Sequence, residues 1–179
     1  KDECFYPDRE MERDFYLTHN NDVNDPRYQK FTSPISGYVL KHFKPKSQGL
    51  DFGSGTGPVI SKVLKDYHYQ IKQYDPYFAD NPEVLTEKYD YIVSCEVIEH
   101  FYNPLKEVTM LRKMLNPEGQ LICMTSLYHP GICFSGWRYR KDPTHVIIYQ
   151  KATVEYIAEA FDFKSVEVSG TRRVVWKCR

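Results

Sequence analysis

The stretch LDFGSGTGPVI, residues 50–60, limits the fold more than any other part of the chain. Gly53, Gly55 and Gly57 occupy alternate positions after Leu50, Asp51 and Phe52, and Pro58 follows. Glycine adopts backbone shapes that other residues resist and lets a ligand approach the main chain. Proline suits the first turn of a helix, where its missing N–H would have no partner anyway. The stretch therefore reads as a strand, a bare turn and a helix, the arrangement in which α/β sheets bind ligands beyond the carboxyl ends of their strands. A phosphate-cradling loop would need Gly-Lys-Ser/Thr, whereas Gly57 precedes Pro58 and Val59,. A dinucleotide fold uses GxGxxG, and this loop is one residue tighter.

The rest of the chain alternates strand and helix. Residues 37–43 suit a short helix, 48–53 a strand, 58–67 a helix and 69–75 a second strand. The β-branched and aromatic run Tyr89–Ser94 predicts a strand,. Leu105, Val108, Leu111 and Leu115 form one helical stripe over 103–115, and the turn NPEG precedes a strand over 120–128,. Val154, Ile157, Ala158 and Phe161 repeat the stripe, and short strands at 165–170 and 172–178 close the chain. This pattern predicts an α/β fold, a mostly parallel sheet with helices on both faces. Residues 1–34 are polar, rich in Tyr, Asp and Asn, and end at Pro34. They read as an N-terminal extension covering the site, with the sheet domain in 35–179.

Composition removes several functions. Lys plus Arg equals Asp plus Glu at 24 each among 179 residues, so no global field favours nucleic acid or anionic lipid,. A small-molecule partner is expected, with no nucleic acid and no membrane. No apolar run reaches the length of a bilayer span, and the charged start lacks a signal-peptide core, so a cytoplasmic location is expected,. Cys4, Cys95, Cys123, Cys133 and Cys178 are odd in number and lack a CxxC pair, which suits reduced thiols,. Oligomeric state is not legible.

At LDFGSGTG the chain resembles the Rossmann-like, class I, S-adenosylmethionine-dependent methyltransferases, whose first motif is an acid, one residue, then GxGxG. That resemblance implies that Asp51, Gly53, Ser54, Gly55 and Gly57 meet the cofactor. Asp75 ends the next strand about twenty residues on, where both this family and the dinucleotide folds put an acid on the ribose hydroxyls,. Pro76, Tyr77 and Phe78 would then flank the adenine. CEVIEHF, residues 95–101, resembles the fourth-strand motif of small-molecule methyltransferases of the ubiquinone-synthesis kind, with Cys95 and Glu96 beside the methionine end. Trp137, Tyr139, Asp142, Thr144, His145 and Val146 match a W-x-Y-x-x-D-x-T-H-V signature of a bacterial methyltransferase group. Tyr16, His19, Asn20, Asn21 and Asp22 match its upstream stretch. One departure stands out: Asp75 and Tyr89 are too close for the helix and strand that the full family fold has there. The sheet is expected to be short by one strand and helix, with Asp80 or Asn81 replacing an adenine contact.

The reading that follows is transfer of a methyl group from S-adenosylmethionine to a small acceptor, leaving S-adenosylhomocysteine. His100 and His145 are the candidate bases, since only histidine titrates near neutrality unperturbed. Glu99 is the third candidate catalytic group, and Tyr16, His19, Trp137 and Tyr139 are candidate acceptor contacts. If a helix begins at residue 96, then Glu96, Glu99 and His100 share one face. The Glu-x-x-Glu-His element also resembles that of small-RNA 2′-O-methyltransferases, which implies that Glu96, Glu99, His100 and His145 could hold a divalent ion. Two alternatives remain at this level: a nicotinamide-dependent oxidoreductase, and a catalytically silent domain that binds the cofactor and serves as an interaction module.

Overall fold

The computed structural model describes residues 3–19 and 21–179. Its elements are α1 (Arg9–Leu17), α2 (Pro26–His42), β1 (Gln48–Phe52), α3 (Val59–Asp66), β2 (Gln70–Tyr74), β3 (Tyr89–Cys95), α4 (Pro104–Met114), β4 (Leu115–Met124), α5 (Arg138–Lys141), α6 (Lys151–Ala160), β5 (Phe163–Ser169) and β6 (Arg173–Cys178). The six strands form one sheet in the order β2-β1-β3-β4-β6-β5. The first four are mutually parallel, and β6 runs antiparallel between β4 and β5. The fold is therefore the expected α/β one. Between β2 and β3 the chain makes only a 3-10 turn at Pro82–Thr86, which leaves β2 as an edge. The missing strand and helix are absent for the reason the spacing indicates.

Alternation along the central strands builds two cores. Tyr91 and Val93 of β3, with Ile122 and Met124 of β4, face Ile35, Val39, Ile60 and Leu64 of α2 and α3. Ile92, Leu121, Cys123, Val174 and Trp176 face Val108, Leu111, Val154 and Ile157 of α4 and α6. The period-2 strand pattern thus meets two helical stripes, one on each side. Trp176 is almost fully buried and donates its indole N–H to Val154 O at 2.9 Å.

Several boundaries differ from the sequence reading. The division expected at 34/35 falls inside α2, which runs unbroken past Pro34. Proline cannot donate to the carbonyl one turn back, and Ser33 Oγ donates to Lys30 O at 2.7 Å in its place,. The first helix of the sheet domain therefore starts at Pro26, not near residue 37. Pro58 caps α3 from outside its first turn. β4 starts at Leu115, because Leu115 pairs with Tyr89 across an irregularity that absorbs the NPEG turn. Residues 96–100 do not form a helix with Glu96, Glu99 and His100 on one face. Glu96 has φ of 53°, and only Ile98–His100 make a 3-10 turn. Asn20 lies outside the described residues. The five cysteines are all free thiols, and no helix of the described residues is long and apolar enough to cross a membrane.

Candidate active site

The glycine loop leaves β1 and enters α3 with Gly53 and Gly55 at φ of 77° and 64°, the left-handed region that side chains resist,. The protein itself uses two of the three bare positions. A Cβ on Gly53 would strike the Val97 methyls, and one on Gly57 would strike the Asn21 carbonyl oxygen. Gly55 differs, because a Cβ there would meet nothing within 4 Å. Its N–H donates to Asp75 Oδ2 at 2.9 Å, which joins the loop to the end of β2. Asp75 is buried, and its Oδ1 accepts from Tyr77 N at 2.9 Å and Phe78 N at 3.1 Å. Three backbone donors thus fix the carboxylate, two on Oδ1 and one on Oδ2, and the lone-pair site left over is on Oδ2,. Beneath the loop, Asp51 accepts from Ser61 Oγ at 2.7 Å, and burial pushes its carboxyl up to about 6. Asp51 is thus a strut between β1 and α3.

The N-terminal segment reaches this loop directly, with Asn21 Nδ2 donating to Thr56 Oγ1 at 3.2 Å. On α1, Glu12 is 7% exposed and accepts from Tyr16 at 2.7 Å and Tyr77 at 2.5 Å, with Tyr102 at 3.5 Å. Burial and the Glu12 charge hold these phenols above their ordinary range, so they stay donors,. Tyr16 turns its ring edge to His100 at 5.6 Å between centroids. Arg9 also donates to Pro76 O at 2.7 Å and covers the Tyr77 ring. Among the predicted acceptor contacts, His19 packs on Phe15 and Tyr16 rather than on the two histidines.

His100 and His145 come from distant segments and meet at 4.8 Å between ring centroids. His100 Nδ1 lies 3.1 Å from Thr144 O, and His145 Nδ1 lies 2.7 Å from Tyr139 O. A carbonyl can only accept, so each Nδ1 carries the proton and each Nε2 presents a lone pair when neutral. Burial, then the neighbouring His145, lowers His100 to about 4. Glu99 is fully buried, lies 3.9 Å from His145 Nε2 through Oε1, and leaves Oε2 without a partner among the described residues. Burial, then the Glu96 charge, raises Glu99 to about 8.

The signature segment holds this cluster together. Asp142 Oδ1 accepts from Thr144 N at 2.9 Å and Thr144 Oγ1 at 2.5 Å, which shapes the turn that offers Thr144 O to His100. Val146 N and Ile147 N then donate to Glu99 O. Trp137 stacks on Tyr139 at 5.0 Å, and Tyr139 lies 4.1 Å from His145.

Glu99, His100 and His145 offer ligand atoms within 4.8 Å of one another. Glu96, expected with them, is not in that group. Its Oε1 accepts from Arg172 Nη2 at 3.0 Å, and its left-handed backbone turns it toward the β5–β6 hairpin. Cys95 sits at the tip of β3, where burial holds its thiol well above the ordinary range. Asn81 caps the 3-10 turn by accepting from Glu83 N at 3.2 Å. Sequence reasoning missed Glu12, Arg172 and Thr125, whose hydroxyl lies 2.5 Å from that of Tyr139. Glu12 had a signal, since it stands four residues before Tyr16 on one helix face,. Arg172 had none, because only the antiparallel return of β6 brings it to Glu96.

The family of methyltransferase domains matches residues 23–168. No curated protein matches the chain. Among solved structures, a magnesium protoporphyrin IX methyltransferase from Synechocystis with bound S-adenosylmethionine is similar over 98% of this chain and 94% of its own, with TM-score 0.61 and 14% identity. Human N-acetylserotonin methyltransferase in complex with S-adenosylmethionine gives 0.66 and 11%, over 96% of this chain and 60% of its own. A Haemonchus contortus phosphoethanolamine N-methyltransferase gives 0.62 and 17%, over 94% of this chain and 44% of its own. The chain thus spans less than two thirds of the human and Haemonchus proteins. With the family matched over most of its length and the same fold in these structures, the chain belongs to the methyltransferase-domain family.

Proposed function

We propose that the chain transfers a methyl group from S-adenosylmethionine to a small-molecule acceptor bound between the glycine loop and the histidine pair. The observation that carries this reading is Gly55, with open space above its α-carbon and its N–H tied to the acid at the end of β2. A bare backbone beside a fixed carboxylate that keeps an acceptor site on Oδ2 suits a ligand that presents a sugar hydroxyl there,. Asp75 would hold the ribose, Tyr77 and Phe78 would flank the base, and Cys95 with Glu96 would border the methionine end. Residues 21–22 and α1 would cover the cofactor. When bound, S-adenosylmethionine supplies an electrophilic methyl carbon on a sulfonium.

The chain's own residues then have two tasks, alignment and proton removal. Orientation alone can lower such barriers by on the order of 7–11 kcal/mol. His145 Nε2 is the proton acceptor in this reading, since its Nδ1–H is already committed to Tyr139 O,. His100, held neutral by burial, would share the acceptor's proton through its own Nε2. Trp137, with the rings of Tyr139 and Tyr16, would wall the acceptor. The named activities of the Haemonchus and human proteins are both on small molecules, which is consistent with that acceptor class.

A second reading has one observation in its favour: two imidazoles with Nδ1 on backbone carbonyls and the buried Glu99 carboxylate offer ligand atoms within 4.8 Å of one another. That is how metal-bound histidines are commonly oriented, and Glu99, His100 and His145 could hold Mg, Mn or Zn. The ion would polarise an acceptor oxygen.

Calorimetry with S-adenosylmethionine, S-adenosylhomocysteine and NADH tests the cofactor, and transfer of a labelled methyl group to a panel of acceptors, with and without chelator, tests the reaction. Binding of the first two and not NADH, with label in a product, is the expected result. NADH binding alone would replace the reading with an oxidoreductase, and cofactor binding with no turnover would indicate a silent domain.

A further inference from the structure

Tyr28 of α2 packs on the same core as Cys95, at the tip of β3, and its ring stacks on Phe31 at 6.5 Å between centroids. The Arg172 guanidinium lies 4.7 Å from the centre of the Phe31 ring and donates through Nη2 to Glu96 Oε1 at 3.0 Å. Side chains from α2, from the end of β3 and from the β5–β6 hairpin thus gather at the carboxyl edge of the sheet, on its α2 side. Burial, then nearby Cys95 and Asp51, holds the Tyr28 phenol above its ordinary range, so it stays a donor, and no group among the described residues accepts from it,. The Arg172 and Glu96 side chains are 40% and 25% exposed, and their bond leaves Nη1 and Oε2 for a ligand,. One hydroxyl donor, one cation and one anion side by side suit a zwitterion, whose carboxylate and ammonium each find an opposite partner.

We infer that this cluster holds the α-amino-acid end of the cofactor, with Tyr28 and Arg172 on its carboxylate and Glu96 on its ammonium. The inference rests on the proposed function. With the ribose on Asp75 at the end of β2, the tip of β3 lies two strands away in the sheet, about 10 Å at the usual strand spacing,. The ribose and the amino-acid arm on sulfur together cover that reach. An acceptor with an amino-acid group would present the same chemistry, but an acceptor has to lie by the histidines. His100 belongs to the turn whose Ile98 and Phe101 join the α4–α6 core, whereas Tyr28 joins the α2–α3 core. The arm thus turns to the α2 side and leaves the methyl group facing the histidine pair. The cluster selects the complete cofactor over a neutral fragment that lacks the arm.

The test is calorimetry on the full chain with two ligands, S-adenosylhomocysteine and methylthioadenosine, the neutral thioether without the amino-acid arm. The proteins are wild type, Tyr28→Phe, Arg172→Met and Glu96→Gln. Wild type should bind S-adenosylhomocysteine at least tenfold more tightly than methylthioadenosine. Affinity for S-adenosylhomocysteine should fall at least tenfold in Arg172→Met and about threefold or more in Tyr28→Phe and Glu96→Gln, while affinity for methylthioadenosine stays within twofold in all three. Phenylalanine keeps the Tyr28 ring and its packing, so that variant carries the test if Arg172→Met does not fold. Equal affinity of wild type for the two ligands would overturn the assignment, since the arm would then be held by nothing. Unchanged S-adenosylhomocysteine affinity in Tyr28→Phe and Glu96→Gln would overturn it in favour of an acceptor, and a parallel loss for both ligands would make the cluster a structural support. A wild type that binds neither ligand would remove the proposed function, and this assignment with it.

Discussion

His100 and His145 meet ring edge to ring face, 4.8 Å apart between centroids, with each Nδ1 turned to a backbone carbonyl supplied by the same ten-residue signature segment. The two imidazoles are therefore not independent decorations of one pocket. The Thr144 carbonyl orients the first and the Tyr139 carbonyl orients the second, so a single loop conformation aims both Nε2 atoms.

Replacing His145 by Ala should lower turnover by about a hundredfold or more while changing S-adenosylhomocysteine affinity little, because a general base acts on the acceptor's proton and not on the cofactor. Steady-state kinetics with calorimetry on the same protein separates the two effects. If the ion-binding version holds, chelation should lower wild-type turnover to the variant's level and added Mg or Mn should restore it. An equal loss of affinity and turnover would make His145 a packing residue of the covering loop.

Gly55→Val should abolish S-adenosylhomocysteine binding and leave the sheet folded. The substitution forces a β-branched residue to φ of 64°, costing roughly 1–2 kcal/mol, and it fills the open space above the loop,. Gly170, at φ of 61° and also facing open space in the β5–β6 turn, supplies the control. Gly170→Val should show a similar drop in melting temperature with its binding intact. Retained binding in Gly55→Val would reduce the loop to a turn.

Glu12→Ala should free α1. Two half-buried phenols lose their acceptor, and a hydroxyl left unsatisfied costs up to about 1–3 kcal/mol where water cannot reach it,. Amide exchange should rise across α1 and around Tyr77, and S-adenosylhomocysteine should dissociate faster. Exchange confined to residues near position 12 would show that the carboxylate holds nothing beyond its own helix.

Much of this was legible in the sequence for identifiable reasons. The parallel strands, the α4 and α6 stripes and the missing strand after β2 follow from periodicity and from the shortness of the span between Asp75 and Tyr89. The histidine pair followed from the fold, because loops after neighbouring parallel strands share the carboxyl edge. What was illegible depended on side-chain direction. Glu96 looked equivalent to Glu99 by spacing, but a left-handed backbone at Glu96 turns the two apart. The loop glycines looked bare for a ligand alone, and Val97 and Asn21 give Gly53 and Gly57 a reason within the protein as well. Tyr139 looked like an acceptor contact, and its hydroxyl is engaged inside the protein by two residues that only the tertiary fold brings near.

The last prediction uses Glu99 to read the charge state of the site through stability. Burial, then the Glu96 charge, lifts its carboxyl from 4.5 to about 8. Between those values the folded protein keeps a proton that the unfolded chain releases. The stability this proton contributes is whole below about 4.5 and is lost as pH rises through about 8,. Glutamine stays neutral at every pH and still accepts from Tyr139. The stability of Glu99→Gln relative to wild type should therefore grow with pH across that window, by on the order of a few kcal/mol. Urea unfolding of both proteins in chelator, at about pH 5 and about pH 9, measures the change directly. Parallel stabilities at the two pH values would mean that the native carboxyl is already ionised at the lower pH, with a protonated His145 as its counter-charge, and would reverse the assignment of which partner of that pair carries the proton at rest.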